Sequence, residues 1–464
     1  MVKQMKEDFQ DIQSILQQVL EESAAFFEGM KSRPAALQPP QPQRDVLPSE
    51  GLGATVALET FKEVYAPYLS GSAGPRYLGF VTGGSTPAAI AGDWLVSVYD
   101  QNVVVTEDSI AAYLEMETIN MLKDLFHLPN DYSGSFVSGA TMANFVGLAL
   151  ARQWVVHQHG VNISQQGLYD LPRINVVGGA LHSSIYKAVS MLGMGKESIH
   201  TLPSLPGREA TDVSTLEEFL RNNQGEPCIV VANAGTVNTV DFDDIGEIIK
   251  LKDKYPFWLH VDAAFGGFAA CSPKYIDLIK GMDQADSITI DAHKWLNVPY
   301  DSAMQFTRHK HLQVEVFQNN AAYIGDSIQN PEFIHLTPEN SRRFRALPAW
   351  FTLKAYGKEG YKEVVERNVE MAQLLTERLT NSTFFRLVAP TRLNVVCFTL
   401  AIEGVTMDDI KKYLDLLKQD GRVFLTSTMY QGTPAIRAAF SNWGTDENDI
   451  EIIWNALSYA NGEM

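Results

Sequence analysis

The sequence predicts an α/β fold in which a mostly parallel sheet, covered by helices on both faces, lies beside a smaller α+β domain. Three observations carry that prediction. Between residues 174 and 306, short apolar runs alternate with stretches of helical periodicity, as expected for strands buried on both faces and joined by crossover helices. Beyond residue 346, helices and strands mix without that alternation. At 464 residues the chain exceeds what one core usually supports, so several domains are expected.

Taken in order, Phe9, Ile12, Ile15, Leu16, Val19, Leu20, Phe26 and Phe27 recur at helical spacing and predict an amphipathic helix over 7–30. Pro34 and the Pro-rich stretch 38–43 stop it. A second helix is expected over 53–69. Glycines 71, 74, 79, 83 and 84 then form a loop before a helix that opens near Pro87. Residues 145–154 are strongly helical. Strands at 174–179, 227–233, 258–263, 287–291 and 302–306 alternate with helices at 183–189, 215–220, 245–251 and 274–280. The remainder predicts helices at 346–354, 361–380 and 447–460, with strands at 394–400, 423–428 and 435–440. Three regions follow: 1–85, helical; 86–340, the large domain; 341–464, the small domain.

The composition excludes several functions. With 55 Asp and Glu against 37 Lys and Arg, the formal charge is -18, so the basic surface needed for nucleic acid or an anionic membrane is missing. Cys228, Cys271 and Cys397 lie far apart, two of them in apolar runs. Reduced thiols are therefore expected rather than disulfides or a metal cluster. The acidic N-terminus does not resemble a signal peptide, and no uncharged apolar run is long enough to span a bilayer. A cytoplasmic location is expected.

The chemistry concentrates at predicted strand ends. Residues 287–291 lead directly into Ala292, His293, Lys294 and Trp295, so a rigid element presents the Lys294 amine, a residue able to attack a carbonyl carbon. Alone, a strand-end lysine is as readily a surface charge. Asp262 ends the strand at 258–263, and in a parallel sheet the C-terminal strand ends share one crevice. It would meet Lys294 there and hold a heterocyclic nitrogen protonated, or else serve as a strand-end cap. His182 follows a third strand and suits either stacking on a flat ring or packing at a helix start. Residues 138–144 place Gly139, Ala140 and Thr141 before a helix, where free amides receive a phosphate or small residues simply cap it. Arg437 suits a substrate carboxylate or a structural ion pair.

Together, the runs 138–144, 180–187, 260–264, 291–295 and 342–345 closely resemble the group II pyridoxal-phosphate-dependent amino acid decarboxylases, a family that includes aromatic-L-amino-acid, histidine, glutamate and diaminobutyrate decarboxylases. The resemblance covers nearly the whole chain. It implies the aspartate-aminotransferase-like fold type I, with a seven-stranded large sheet, and an intertwined homodimer whose partner is wrapped by residues 1–85. It also implies pyridoxal 5'-phosphate as cofactor. Lys294 would bind it covalently, Asp262 would pair with the ring nitrogen, and His182 would stack on the ring. Ala140 and Thr141 would receive the phosphate, His293 would touch phosphate or cofactor, and Ala264 would pack near the other face.

The implied activity is that of a carboxy-lyase converting an L-amino acid to an amine and carbon dioxide. Tyr77, Phe80 and Thr82 resemble the segment reaching the substrate, and with Trp94 nearby they favour an aromatic amino acid over glutamate or diaminobutyrate. The sequence departs from the family between Tyr323 and Arg342, where members commonly carry a mobile-loop tyrosine that returns a proton. No tyrosine follows Tyr323 there. Glu332 or Phe333 takes its position, with Tyr323 and His335 as polar neighbours, so Phe333 and His335 join the expected substrate pocket. This departure keeps three alternatives open: decarboxylation coupled to oxidative deamination with aldehyde release, another reaction of the same cofactor such as transamination, and a cofactor-binding protein without efficient turnover. Val237 is a second departure, since aromatic decarboxylases carry a hydroxyl residue at about that place.

Overall fold

The computed structural model describes residues 2–41, 46–169, 171, 173–318 and 332–464. Seven strands form the large sheet: β1 (Ser133–Val137), β2 (Asn175–Gly178), β3 (Ile199–Thr201), β4 (Cys228–Asn233), β5 (Trp258–Asp262), β6 (Ser287–Ile290) and β7 (Ala303–Thr307). Their order is β1-β7-β6-β5-β4-β2-β3. Only β7 runs against the others, pairing antiparallel with both β6 and β1. The central strands β4, β5 and β6 are buried at every position, which explains their continuous apolar runs.

Two short strands of this sheet fall outside the sequence expectation. β1 reads Ser-Gly-Ser-Phe-Val, poor in strand formers. Tertiary pairing makes it a strand: Gly134 lies opposite Phe306, and a Cβ there would sit 2.8 Å from the Phe306 ring. β3 has three residues and takes its place by parallel pairing with β2.

Helix Ala140–His157 crosses the sheet beneath β5 and β6 and is buried along most of its length. Gly147 permits that approach, because a Cβ would lie 2.7 Å from the ring of His260. The expected helix at 274–280 is only a 3-10 turn, Ile276–Ile279. Helices Ala111–Leu125 and Met407–Asp420 were not anticipated. The second carries a Thr406/Asp409 capping box and ends on Gly421 at φ 77°, start and stop signals visible in the sequence.

The small domain is an antiparallel sheet of β8 (Phe385–Leu387), β9 (Val395–Leu400), β10 (Thr426–Tyr430) and β11 (Thr433–Ala439), ordered β10-β11-β9-β8. The strand expected at 423–428 begins later, at Thr426. Residues 76–79 join this domain: Leu78 donates its N–H to Phe424 O at 2.9 Å and receives that of Ala439 at 3.0 Å. The expected helices at 346–354 and 361–380 are both present within Ala346–Thr380 and meet at a kink at Gly357 (φ 60°, ψ -167°). Its early residues pack in the large-domain core, and Met371, Ala372, Leu375 and Leu379 pack in the small-domain core.

The N-terminal region forms helices Val2–Gln10 and Ile12–Glu28, separated at Asp11, and a third at Ala54–Val64. The latter two bury no residue. No helix among the described residues is long and apolar enough to cross a membrane.

Candidate active site

Parallel pairing brings the ends of β5 and β6 together. Asp262 lies opposite Thr289, and Asp291 donates its N–H to Ala264 O at 2.8 Å. The buried Asp262 carboxylate accepts from Asn144 Nδ2 at 3.0 Å and from Ala264 N at 3.2 Å. After β6 the chain makes one wide π turn, Ala292–Leu296, which stops at Asn297 in the left-handed conformation (φ 55°, ψ 52°). Such turns often mark functional positions. Here it carries Lys294, whose Nζ lies 3.5 Å from Asp291 Oδ2 and 5.5 Å from the centroid of the Phe265 ring.

The segment before Pro87 closes on this turn. Gly83 donates to His293 O at 3.4 Å, and Thr86 donates to Asn297 O at 2.9 Å. A Cβ on Gly83 would fall 2.0 Å from Lys294 O. Only glycine allows that approach.

His182 caps helix Ser183–Met191. Its Nδ1 accepts from Ser184 N at 3.2 Å and lies 2.8 Å from Ser184 Oγ, leaving Nε2 to carry the proton. Burial lowers its pKa, the nearby Asp262 carboxylate opposes that, and Lys294 and Arg437 reinforce it. Neutral imidazole is the form at pH 7.

Helix Ala140–His157 begins with no side-chain cap at Gly139. His293 lies alongside, with Cε1 3.5 Å from where a Gly139 Cβ would be. Burial lowers the pKa of His293 and raises that of Asp291, whose Oδ1 stands 3.2 Å from His293 Nδ1. Ser302 donates its N–H to His293 Nδ1 at 3.4 Å, and its buried hydroxyl has no protein partner. An uncapped helix start beside an orphaned hydroxyl is a ready anion site.

Residues 45–401 match the pyridoxal-dependent decarboxylase conserved domain. The chain belongs to that family. Relatives of this decarboxylase family member include the aromatic-L-amino-acid decarboxylase of Bacillus atrophaeus, 29% identical over 391 residues, covering 81% of this chain and 79% of that protein. The phenylacetaldehyde synthase of Petunia hybrida is 27% identical over 419 residues, covering 82% and 80% respectively. The crystal structure of Oryza sativa TDC with PLP and tryptamine matches the fold with a TM-score of 0.90 at 22% identity, covering 98% of each chain. The architecture is that of a fold type I enzyme, with a large mixed sheet and a small C-terminal domain.

Family membership brings pyridoxal 5'-phosphate as cofactor and decarboxylation of an amino acid as the general reaction. The residues present fit that group: an amine after a strand and a fixed carboxylate, both within electrostatic reach of a neutral imidazole, and a helix start without a side-chain cap that would suit the phosphate. When bound, pyridoxal 5'-phosphate supplies an electron-withdrawing ring that accepts the electron pair released as the bond to the carboxylate breaks.

The substrate-side residues are distributed differently. Tyr77 stacks on Phe424 (4.7 Å, 23°), and Phe80 lies 5.8 Å from the same ring. Thr82 is buried, and its side chain lies near enough to the Tyr300 phenol to oppose the rise in its pKa. Trp94 is exposed on helix Pro87–Tyr99. Phe333 and His335 do not join the cluster in this chain. They occupy the short turn Phe333–His335, with Phe333 packed against Ala112, Val314 and Leu336 beneath the Arg342 guanidinium, 4.9 Å from its centroid. The Glu332 carboxylate is held by Thr106 N at 2.8 Å and Thr106 Oγ1 at 2.5 Å. Tyr323 lies outside the described residues.

Sequence reasoning assigned no role to Asn144, His260, Ser287 or Tyr300. The first two stand inside the informative runs 138–144 and 260–264, so their positions were visible without their partners. Tyr300 follows the lysine turn, its ring 4.5 Å from that of His293. Desolvation raises the pKa of its phenol, and the nearby Thr82 side chain works the other way. Arg345 fixes the adjoining Asp301 at 3.0 Å.

Arg437 is buried, donating to Val237 O at 2.8 Å and Gly79 O at 3.0 Å. Its Nε is unpaired. No acidic partner for it is seen among the described residues.

Proposed function

We propose that this protein decarboxylates an aromatic L-amino acid to the corresponding amine and carbon dioxide. In this reading Lys294 holds the cofactor's carbonyl carbon, Asp262 keeps the ring nitrogen protonated, and His182 covers one face of the ring with Ala264 near the other. Ala140, Thr141 and His293 receive the phosphate. The observation that carries the reading is Asp262, a carboxylate held on both oxygens that, like Lys294, lies within electrostatic reach of His182. An aromatic substrate is supported by the Tyr77, Phe80 and Phe424 rings at the segment next to Thr82. The names of the Bacillus and Petunia relatives support it as well.

Replacing carbon dioxide by hydrogen at the α carbon requires an acid. Tyr300 is a phenol beside the lysine turn, its ring 4.5 Å from that of His293, and in this reading it donates that proton and regains one from water. The Tyr300→Phe variant tests this. A fall in amine with a rise in aldehyde supports the role, and an unchanged product ratio and rate removes it.

Arg437 favours a second reading, a substrate with a side-chain carboxylate. A cation that clamps the departing carboxylate stabilises the starting state and slows its loss. A buried guanidinium with an unpaired Nε and no ion-paired acid among the described residues is better matched to a carboxylate that survives the reaction. A screen of tyrosine, phenylalanine, tryptophan, glutamate and 2,4-diaminobutyrate, measuring carbon dioxide, amine, aldehyde and peroxide together, separates these readings. Aldehyde with peroxide would replace the amine reading by oxidative deamination, and no product from any amino acid would favour binding without turnover.

The N-terminal helices suit a second copy of the chain as partner. Phe9, Leu16, Leu20, Phe27 and Phe61 are all exposed, and a homodimer with residues 1–85 wrapped around its partner would cover them. Sedimentation of the Leu16→Asp, Leu20→Asp double variant as a monomer beside a dimeric parent would support this. Three free, buried cysteines suit the reducing conditions of the cytoplasm.

A further inference from the structure

Behind Asp262 lies a line of buried polar groups whose hydrogen-bond direction is determined by chemistry. It begins at Trp258, whose indole N–H can only donate and lies 2.9 Å from Ser287 Oγ. Ser287 accepts from Trp258, and at the other end the Asp262 carboxylate can only accept, so Asn144 turns its N–H to Asp262 and its Oδ1 to His260 Nε2, which leaves His260 Nδ1, 2.8 Å from Ser287 Oγ, to take the Ser287 proton.

His260 is fully buried, and burial pushes its pKa down to about 4, with Asp262 opposing. A neutral imidazole has one donor and one acceptor nitrogen. With Nδ1 accepting from Ser287, Nε2 carries the hydrogen and donates to Asn144 Oδ1 at 2.9 Å.

That contact orients the Asn144 amide. Its two N–H groups face Asp262 Oδ2 and Ser184 Oγ, each at 3.0 Å. Reversing the amide would set its carbonyl oxygen against a carboxylate and its N–H against the His260 N–H, two repulsive contacts. Ser184, having accepted from Asn144, directs its own proton to His182 Nδ1 at 2.8 Å. The path thus runs one way from Trp258 to Asp262, with a branch to His182.

Packing supports the assignment. Trp258, Ser287, His260 and Asn144 have no solvent exposure. Gly147 leaves room for the His260 ring on helix Ala140–His157. Water therefore does not compete for these donors, and hydrogen bonds in such surroundings are strong when all are satisfied.

We propose that Asn144 is a positioning residue for this reaction, holding the Asp262 carboxylate in its working orientation, and that Trp258, Ser287 and His260 fix the direction in which its amide points. The inference rests on the reading that Asp262 meets the ring nitrogen of pyridoxal 5'-phosphate. Hydrogen bonds to a carboxylate favour its charged form. Losing the one from Asn144 leaves the Asp262 carboxylate free to turn and weakens its hold on the ring nitrogen.

Three readouts on purified protein test this. The first is the pH profile of the visible absorption band of the cofactor-loaded protein. The second is the dissociation constant for pyridoxal 5'-phosphate. The third is the histidine ring tautomer in cofactor-free protein, read by nitrogen-15 NMR. In the parent, His260 is expected as neutral Nε2–H at pH 7. In Asn144→Leu the cofactor should bind about tenfold or more weakly, as when outer hydrogen-bond partners of a ligand are removed, and the band's apparent pKa should rise. Ser287→Ala leaves Asn144 in place, so it should mix the His260 tautomers and shift the band in the same direction by less.

Parental affinity and pH profile in both variants would overturn the proposal. If Asn144→Leu fails to fold, Ser287→Ala decides alone: a single Nε2–H tautomer with an unshifted band would overturn it. Failure of the underlying reading is distinct. It would appear as Asp262→Ala binding cofactor as tightly, and with the same band profile, as the parent.

Discussion

The two sides of the crevice are built on different principles. The side that includes Asp262, His182 and Asn144 stands on rigid strands and a buried helix, and these polar side chains are hydrogen-bonded before any ligand arrives. The side made by Tyr77, Phe80, Thr82, Phe424 and Tyr300 comes from a loop preceding Pro87, the small domain and the turn after Lys294. There Phe80 and Tyr300 are largely exposed. Under the proposed reading the two sides have separate tasks: preorganised charge on the first side determines the reaction, and the rings of the second side select the substrate, with Tyr300 returning the proton.

Substitutions on the first side should therefore affect chemistry whatever the substrate. The largest effect is expected for Lys294→Ala, which should abolish the visible absorption band and all carbon dioxide release. Asp262→Ala should retain the fold and lower kcat by about a hundredfold or more for every substrate turned over, the size seen when an electrostatic partner of a reacting centre is removed. Steady-state kinetics on two amino acids would check that uniformity.

The same side carries a pH dependence. His260 has a folded-state pKa of about 4, against an ordinary value near 6.5. Between these values the unfolded chain binds the extra proton, so stability is complete above about pH 6.5 and declines as pH falls toward 4, by about 3 kcal/mol in all. Urea unfolding at pH 7, 5.5 and 4.5 should give a shallower slope in His260→Asn than in the parent.

The second side should respond selectively. Phe80→Ala is expected to raise KM for an aromatic amino acid by about fivefold to tenfold, in line with about 1 kcal/mol for an aromatic pair, while leaving the cofactor band unchanged. An equal effect on aromatic and acidic substrates would remove Phe80 from selectivity. The aromatic and carboxylate readings separate again at Arg437: Arg437→Met should spare an aromatic substrate relative to glutamate.

This division also explains what was legible in the sequence. Lys294, Asp262 and His182 follow apolar runs that read plainly as strands, so local pattern and topology were enough to bring them to one edge. The duties of Asn144 and His260 depend on the crossing of helix Ala140–His157 with β5, a tertiary contact made possible at Gly147 and encoded in no single window. Tyr300 was obscured for a similar reason, since its neighbour Thr82 arrives from more than two hundred positions earlier in the chain. β1 was missed because Gly134 has poor strand propensity but is the residue that fits beneath Phe306. Phe333 and His335 were expected at the substrate from loop alignment, whereas in this chain local apolar packing holds them against the large domain.

The most direct test is covalent. Protein loaded with pyridoxal 5'-phosphate should be reduced with borohydride, digested and mapped by mass spectrometry. A pyridoxyl adduct on Lys294, absent from Lys294→Ala, is the expected result; an adduct confined to other lysines, or none in fully loaded protein, would contradict the assignment of this crevice as the reacting centre.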